Sequence, residues 1–318
     1  MSPKHKYIAL GLLSCVPGLH RLLRRGTGGS TSARYCYSVW LRHLVLNARV
    51  NPTLQFRSVA ELGPGDSIGI GLAALLSGAE RYFALDALPH AQTARNLAVF
   101  DELIELFRAR APIPGDDEFP EVLPRLEDYS FPTQLLSAER LEQTLAPQRL
   151  QRIREDIARL QGSVSYMPKW YERGQIADGS VDLILSQAVL EHVDALEGAY
   201  EAMSRWLRPG GFMSHQIDFK CHSTAEKWNG HLAYSELTWR LMRGRLPYLL
   251  NRRVLAEHRA AATAVGFDDI VVRRFERDDG LPVEALAPRF RAIAAEDVRT
   301  AGAFLQATQP LRRVSERS

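Results

Sequence analysis

What most constrains this chain is an alternation. Short apolar segments at 58–62, 82–86, 163–166, 181–186 and 212–217 are separated by stretches of helical spacing at 68–76, 91–108, 138–145, 150–160 and 196–207. Strands that alternate with helices build a parallel sheet covered on both faces, joined by right-handed crossovers. A helix at 254–265 and strands at 270–275 and 302–307 complete the predicted fold, a doubly wound, seven-stranded, mostly parallel α/β sheet. Ligands on such sheets sit at the carboxyl ends of the strands, so the chemistry is sought just after each strand.

Two tracts break the alternation. Residues 109–135 are rich in proline and acid and too long for a simple connection; with the two helices that follow they form an insertion at 109–160. A second, aromatic and basic insertion covers 222–252. The expected organisation is a basic helical cap at 1–55, the α/β domain at 56–308 and a tail at 309–318. Within the cap, 4–24 reads as an apolar helix broken at Pro17-Gly18, and 26–32 is turn-rich. Tyr35, Val39, Trp40, His43, Leu44 and Leu46 then set a second helix over 33–49.

The net charge of +3 hides an asymmetry, because nine cations (Lys4, Lys6, Arg21, Arg24, Arg25, Arg34, Arg42, Arg49 and Arg57) precede the first acid, Glu61. Either this block meets an anionic partner such as phosphate, a lipid headgroup or nucleic acid, or it is a helix face balanced by the acids at 101–128. The apolar and basic mixture at 4–25 predicts peripheral contact with an anionic membrane surface. No apolar run reaches the roughly 20 residues of a membrane-spanning helix. The run at 8–16 follows Lys4 and Lys6, but no small-residue cleavage site precedes Arg21, which argues against a secretion signal. Cys15, Cys36 and Cys221 are too scattered for a metal clamp or a disulfide framework, which predicts a reducing, cytoplasmic setting. The chain has no recognisable RNA-binding module or basic tail, which argues against a nucleic-acid partner.

The sharpest local signal is Glu61-Leu62-Gly63-Pro64-Gly65-Asp66, where the first strand ends. Glycines there admit a ligand close to the backbone, and the following helix N-terminus is expected to offer free amide donors. A dinucleotide enzyme would carry a third glycine where this chain has Ile68.

Val59-Ala60-Glu61-Leu62-Gly63-Pro64-Gly65 resembles the glycine-rich first motif of class I S-adenosylmethionine-dependent methyltransferases. Residues 178–193, with Ser186-Gln187 and Leu190-Glu191-His192-Val193, and Trp206-Leu207-Arg208-Pro209-Gly210-Gly211 are similar to the fourth- and fifth-strand motifs of that family. The resemblance covers about 56–100 and 161–217. It implies S-adenosylmethionine as cofactor, with Glu61, Gly63, Pro64, Gly65 and Gln187 around it and Asp86 accepting from both ribose hydroxyls. Many members carry an acid after the third strand; here Tyr166-Met167-Pro168-Lys169-Trp170 stands there, and Trp170 or Tyr166 is the candidate to stack on adenine.

Transfer to a hydroxyl needs a base, and the candidates lie beyond strands four and five: His192, His215 and His222, with Asp218 as orienting partner. A metal set of Glu191, His192, His215 and His222 lacks the additional glutamate of metal-assisted relatives, since Ala188 occupies its place; no metal is expected. Tyr37, Trp40, Tyr234, Trp239, Asn251 and Arg253 are assigned to the acceptor, aromatic rings for a sugar face and polar groups for phosphate or carboxylate. Thr27-Gly28-Gly29, residues 35–40 and the second insertion also resemble bacterial methyltransferases of cell-surface polysaccharide synthesis. The expected activity is methyl transfer to a hydroxyl of a sugar, nucleotide-sugar or lipid-linked glycan. A tRNA or rRNA methyltransferase and a non-catalytic scaffold remain as alternatives.

Overall fold

The structure, a computed structural model, describes residues 2–16, 30–53, 56–87, 92–168, 170, 174–246 and 249–311. The chain opens with α1 (Pro3–Ser14) and α2 (Ala33–Val50), followed by β1 (Ser58–Leu62), α3 (Gly69–Leu76), β2 (Arg81–Asp86) and α4 (Thr93–Arg108). The first insertion carries α5 (Ala138–Thr144) and α6 (Pro147–Arg159) and leads to β3 (Val164–Pro168) and β4 (Val181–Gln187). Then come α7 (Leu196–Trp206), β5 (Leu207–Asp218), α8 (Glu236–Arg243), α9 (Leu255–Ala264), β6 (Asp268–Glu276), α10 (Ala295–Arg299) and β7 (Thr300–Thr308).

The strands form one sheet in the order β3-β2-β1-β4-β5-β7-β6. β1 through β5 run parallel, while β7 is antiparallel to both β5 and β6. This is the Rossmann-like methyltransferase arrangement, and its chain reversal lies between β1 and β4. Burial explains the central strands: all of β1 and the first six residues of β4 are buried, as strands covered on both faces must be. β6, at the edge, is half-buried along its middle and exposed at both ends. Alternation along the strands splits the core: Leu183, Leu185 and Phe212 face α2, α3 and α4, while Ile184, Met213 and Ile217 face α7 and α9.

Three local expectations change. Pro209-Gly210-Gly211, read as a turn before the fifth strand, lies within β5 as an irregularity: Val181 pairs with Leu207 and Leu183 with Phe212. The second insertion contains α8, which no periodicity had signalled. The glycine-rich tract at 26–32 and the break at Pro17-Gly18 fall largely outside the described residues. Among the described residues, no helix is long and apolar enough to cross a membrane.

For α2, the reading of the basic block as a face balanced by acids holds. Arg34 pairs with Glu118, Arg42 with Asp116 and Arg49 with Glu127, so α2 is balanced by the acidic insertion. Arg42 is completely buried and donates to the carbonyls of Val122 and Pro124, both at 2.9 Å. It fastens the insertion to the sheet layer. Lys4 and Lys6, on α1, are exposed.

Candidate active site

The cofactor side is built on the turn after β1. Gly63 and Gly65 have φ of +64° and +75°, where a side chain would be strained, and a Cβ at Gly63 would lie 2.7 Å from Val189 Cγ2. Gly63 N–H donates to Leu85 O at 2.7 Å, which ties this turn to the end of β2. There Asp86, nearly buried, accepts from Tyr166 Oη at 3.1 Å, and its carbonyl accepts from the Trp170 amide. Trp170 meets Trp206 edge to face, with ring centres 6.1 Å apart. Tyr166 is therefore a carboxylate-holding residue, a role visible only once β2 and β3 pair side by side.

Two expectations about this turn are corrected. Glu61 does not open toward a ligand: it is buried under α3, accepts from Tyr82 Oη at 2.6 Å and from the Gly71 amide, and burial pushes its carboxyl up to about 8. Nor is the N-terminus of α3 a set of free donors. The amides of Ser67, Ile68 and Gly69 donate to Ser30 Oγ, Asn96 Oδ1 and Ser67 Oγ. Gln187, closing β4, donates to Leu123 O at 3.0 Å, and its Oε1 lies 3.3 Å from His43 Nε2, so it anchors the first insertion beside the site.

The polar exit of β5 forms the second half. Asp218 Oδ1 accepts from the Lys220 amide at 2.8 Å, and its Oδ2 lies 3.2 Å from His222 Nε2. Burial opposes ionisation of Asp218, but the hydrogen bond and charge of His222, with Lys220, hold its carboxyl below the usual range. The Lys220 ammonium, 2.9 Å from Glu121, is raised by Glu121 and Asp218 against the effect of burial. The His192 ring stands 5.3 Å from that of His222. Beneath them Glu191 is buried, and burial together with the Asp218 charge drives its carboxyl well above the usual range. A groove of about 610 Å³ opens beside this group, lined by Asp218, Lys220, His222, Lys227, Trp228 and Arg277 among others.

His192, Asp218 and His222 thus come together, but His215 does not. It is fully buried on the α7 and α9 face, with Nδ1 2.8 Å from Ser186 Oγ, and burial lowers it to about 3. Three residues before the strand ends, it is a core histidine, not a base. Tyr37 and Trp40 are also corrected: both are fully buried in α2, donating to Ala111 O and Ser77 Oγ, and face no acceptor. Trp239 is buried between Tyr234, stacked at 6.5 Å, and Arg252, 4.9 Å above its ring. Tyr234 donates to Thr224 O, holding the 222–224 loop. Asn251 donates its side-chain amide to Leu190 O and Val193 O, both at 2.8 Å, clamping the turn that carries Glu191 and His192. Arg253 is held by Glu197 and Glu257. These four position loops instead of presenting groups to an acceptor.

A methyltransferase domain family matches residues 134–214. Among solved structures, the chain is similar to phosphoethanolamine N-methyltransferase 2 of Haemonchus contortus in complex with S-adenosyl-L-methionine, at 14% identity, 88% of this chain, 57% of that one and a TM-score of 0.43. It is also similar to an S-adenosylmethionine-dependent methyltransferase of Mesorhizobium loti, at 15% identity, 88% of this chain, all of that one and a TM-score of 0.42. The chain spans little more than half the length of the Haemonchus enzyme. Comparison with curated proteins gave no match. The matched family segment runs from the first insertion through β3 and β4 into β5.

Proposed function

We propose that this protein transfers the methyl group of S-adenosylmethionine to a hydroxyl of a sugar, nucleotide-sugar or lipid-linked glycan. The observation that carries the reading is the Asp218–His222 pair, flanked by His192, at the same carboxyl edge of the sheet as the Gly63-Pro64-Gly65 turn and Asp86. The site residues fit the cofactor. Gly63, at a φ that favours glycine, lets the turn pack directly against Val189, and Asp86 is a carboxylate on a short rigid stem, suited to a vicinal diol.

When bound, S-adenosylmethionine supplies an electrophilic sulfonium methyl and leaves as the thioether S-adenosylhomocysteine. The protein's task is to align the acceptor oxygen with that methyl and to receive a proton. With Asp218 ionised and accepting from His222 Nε2–H, the lone pair of His222 is on Nδ1, the atom that takes the hydroxyl proton. The Asp218 charge then stabilises the imidazolium.

Calorimetric titration with S-adenosylmethionine and S-adenosylhomocysteine, with NAD as control, tests the cofactor half. Micromolar binding of the first two alone is expected, weakened at least tenfold in Asp86→Ala; unchanged affinity in that variant would count against the assignment. For the base, His222→Ala is expected to lower kcat by about 10²–10⁴-fold on a hydroxyl acceptor while leaving cofactor affinity intact. A variant as active as the parent removes His222 from the chemistry.

A further inference from the structure

Six large apolar side chains are exposed among the described residues; four of them stand on two packed helices and a fifth lies just past the end of one. Leu12 and Leu13 lie on α1, Val16 just beyond it, and Leu237 and Leu241 on α8; their exposures run from 39% to 64%. The helices meet without side-chain clearance. A Cβ at Gly11 would collide with the carbonyl oxygen of Leu241, and Ser14 Oγ accepts from the Arg245 amide at 2.7 Å. Leu237 and Leu241, four residues apart, share one face of α8, while Leu12 and Leu13 follow Gly11 on α1.

The charges around this patch that lack a partner among the described residues have one sign. Lys4, Lys6, Arg240 and Arg245 are exposed, and none has a carboxylate partner among the described residues. α1 contains no acid, and the acid of α8, Glu236, is held by Arg252 and Arg289. In sequence, three more arginines, Arg21, Arg24 and Arg25, follow α1 before any acid occurs. Apolar side chains ringed by unpaired cations complement an anionic lipid surface, where leucines enter the acyl boundary and cations remain at the headgroups. A protein partner of matching shape would need acids opposite these cations, and a second copy of this chain offers none on the same patch.

We propose that α1 and α8 form a docking lip for an anionic bilayer. The lip is joined to the base-bearing loop from both sides: Tyr7 of α1 donates to His222 O at 3.4 Å, and Tyr234, just before α8, donates to Thr224 O at 3.0 Å. Docking thus sets the groove at Asp218 and His222 next to the lipid surface. Resting on the methyl-transfer reading above, this narrows its acceptor to one carried by the bilayer, a lipid-linked glycan.

Flotation of the full chain with phosphatidylglycerol vesicles and with phosphatidylcholine vesicles tests the lip. Binding is expected to favour the anionic vesicles at least tenfold and to weaken with added salt as the cations are screened. The doubly substituted Leu13→Asp, Leu237→Asp protein is expected to lose at least tenfold in vesicle binding. Both side chains are exposed, so its thermal midpoint and S-adenosylmethionine affinity should match the parent. Equal binding by parent and variant, or no preference for the anionic vesicles, overturns the proposal. So does a parent that dimerises in sedimentation equilibrium through a contact the variant abolishes. Vesicle binding and cofactor binding are read separately. A protein that floats but does not bind S-adenosylmethionine keeps the lip and loses the methyl-transfer reading, and the reverse result does the opposite.

Discussion

α1 and α2 come from the same acid-free stretch of sequence and have opposite fates. Every cation on α2 finds a carboxylate on the acidic insertion, and the helix lies in the main core with Tyr37, Trp40 and Leu41 completely buried. α1 touches the rest of the protein mainly through α8, buries only Gly11 and Ser14, and leaves its lysines and leucines to solvent. Basic charge in a sequence therefore carries no single meaning. What separates the helices is whether the chain supplies acids that fold back onto them.

The largest test of that contrast is Arg42→Ala. It would leave the Val122 and Pro124 carbonyls without their buried donor, and a loss of about 3–5 kcal/mol is expected in urea denaturation. An effect below about 1 kcal/mol would show that the insertion is held by other contacts. Next comes acid sensitivity. His43, on α2, is buried and lowered to about 4 by burial, against the opposing hydrogen bond of Gln187. A group depressed in the folded state contributes stability that is present above its unfolded value near 6.5 and lost as pH falls toward 4. Between pH 7 and pH 5 this costs about 2 kcal/mol for His43 alone. His43→Gln should lose correspondingly less stability across that interval, as read from denaturant midpoints.

Smaller effects belong to α1. Gly11→Val is expected to push α1 off α8, at about 1–3 kcal/mol, the cost of overpacking a close contact. Hydrogen exchange should show α1 losing protection while α2 keeps it; loss in both would mean that α1 is part of the same cooperative unit. Smallest of all, Lys4→Ala with Lys6→Ala should change stability by no more than about 0.5 kcal/mol.

The legible parts of the molecule were those written in local pattern. The seven strands lie where period and turn residues put them, because a strand buried on both faces is built mostly from apolar residues, as in Leu183-Ile184-Leu185. The turn at Gly63 and Gly65 and the place of Asp86 were legible for the same reason: they are set by backbone conformation and by position at a strand end. Facing direction was less legible. His215 and Asp218 share one strand and equal polarity, yet His215 points into the core three residues before Asp218 emerges at the rim. α2 carries aromatic residues of the kind that face sugars, but its position over the sheet makes Tyr37 and Trp40 filling. Tyr166 was legible only as a ring for stacking; its hydroxyl's hold on Asp86 depends on β2 lying against β3.

By itself the sequence determined the alternation of strands and helices, the glycine turn, the carboxylate after β2 and the histidines after β4 and β5, since each follows from residues close together in the chain. Only the tertiary structure decided which of those histidines meet, which arginines are neutralised and which helix remains uncovered. Those outcomes depend on partners far away in sequence: Asp116 for Arg42, Leu241 for Gly11, and the His192 turn for His222. A local pattern specifies what a segment can form, and the segments packed against it set which of its groups are desolvated, paired or left to meet a ligand.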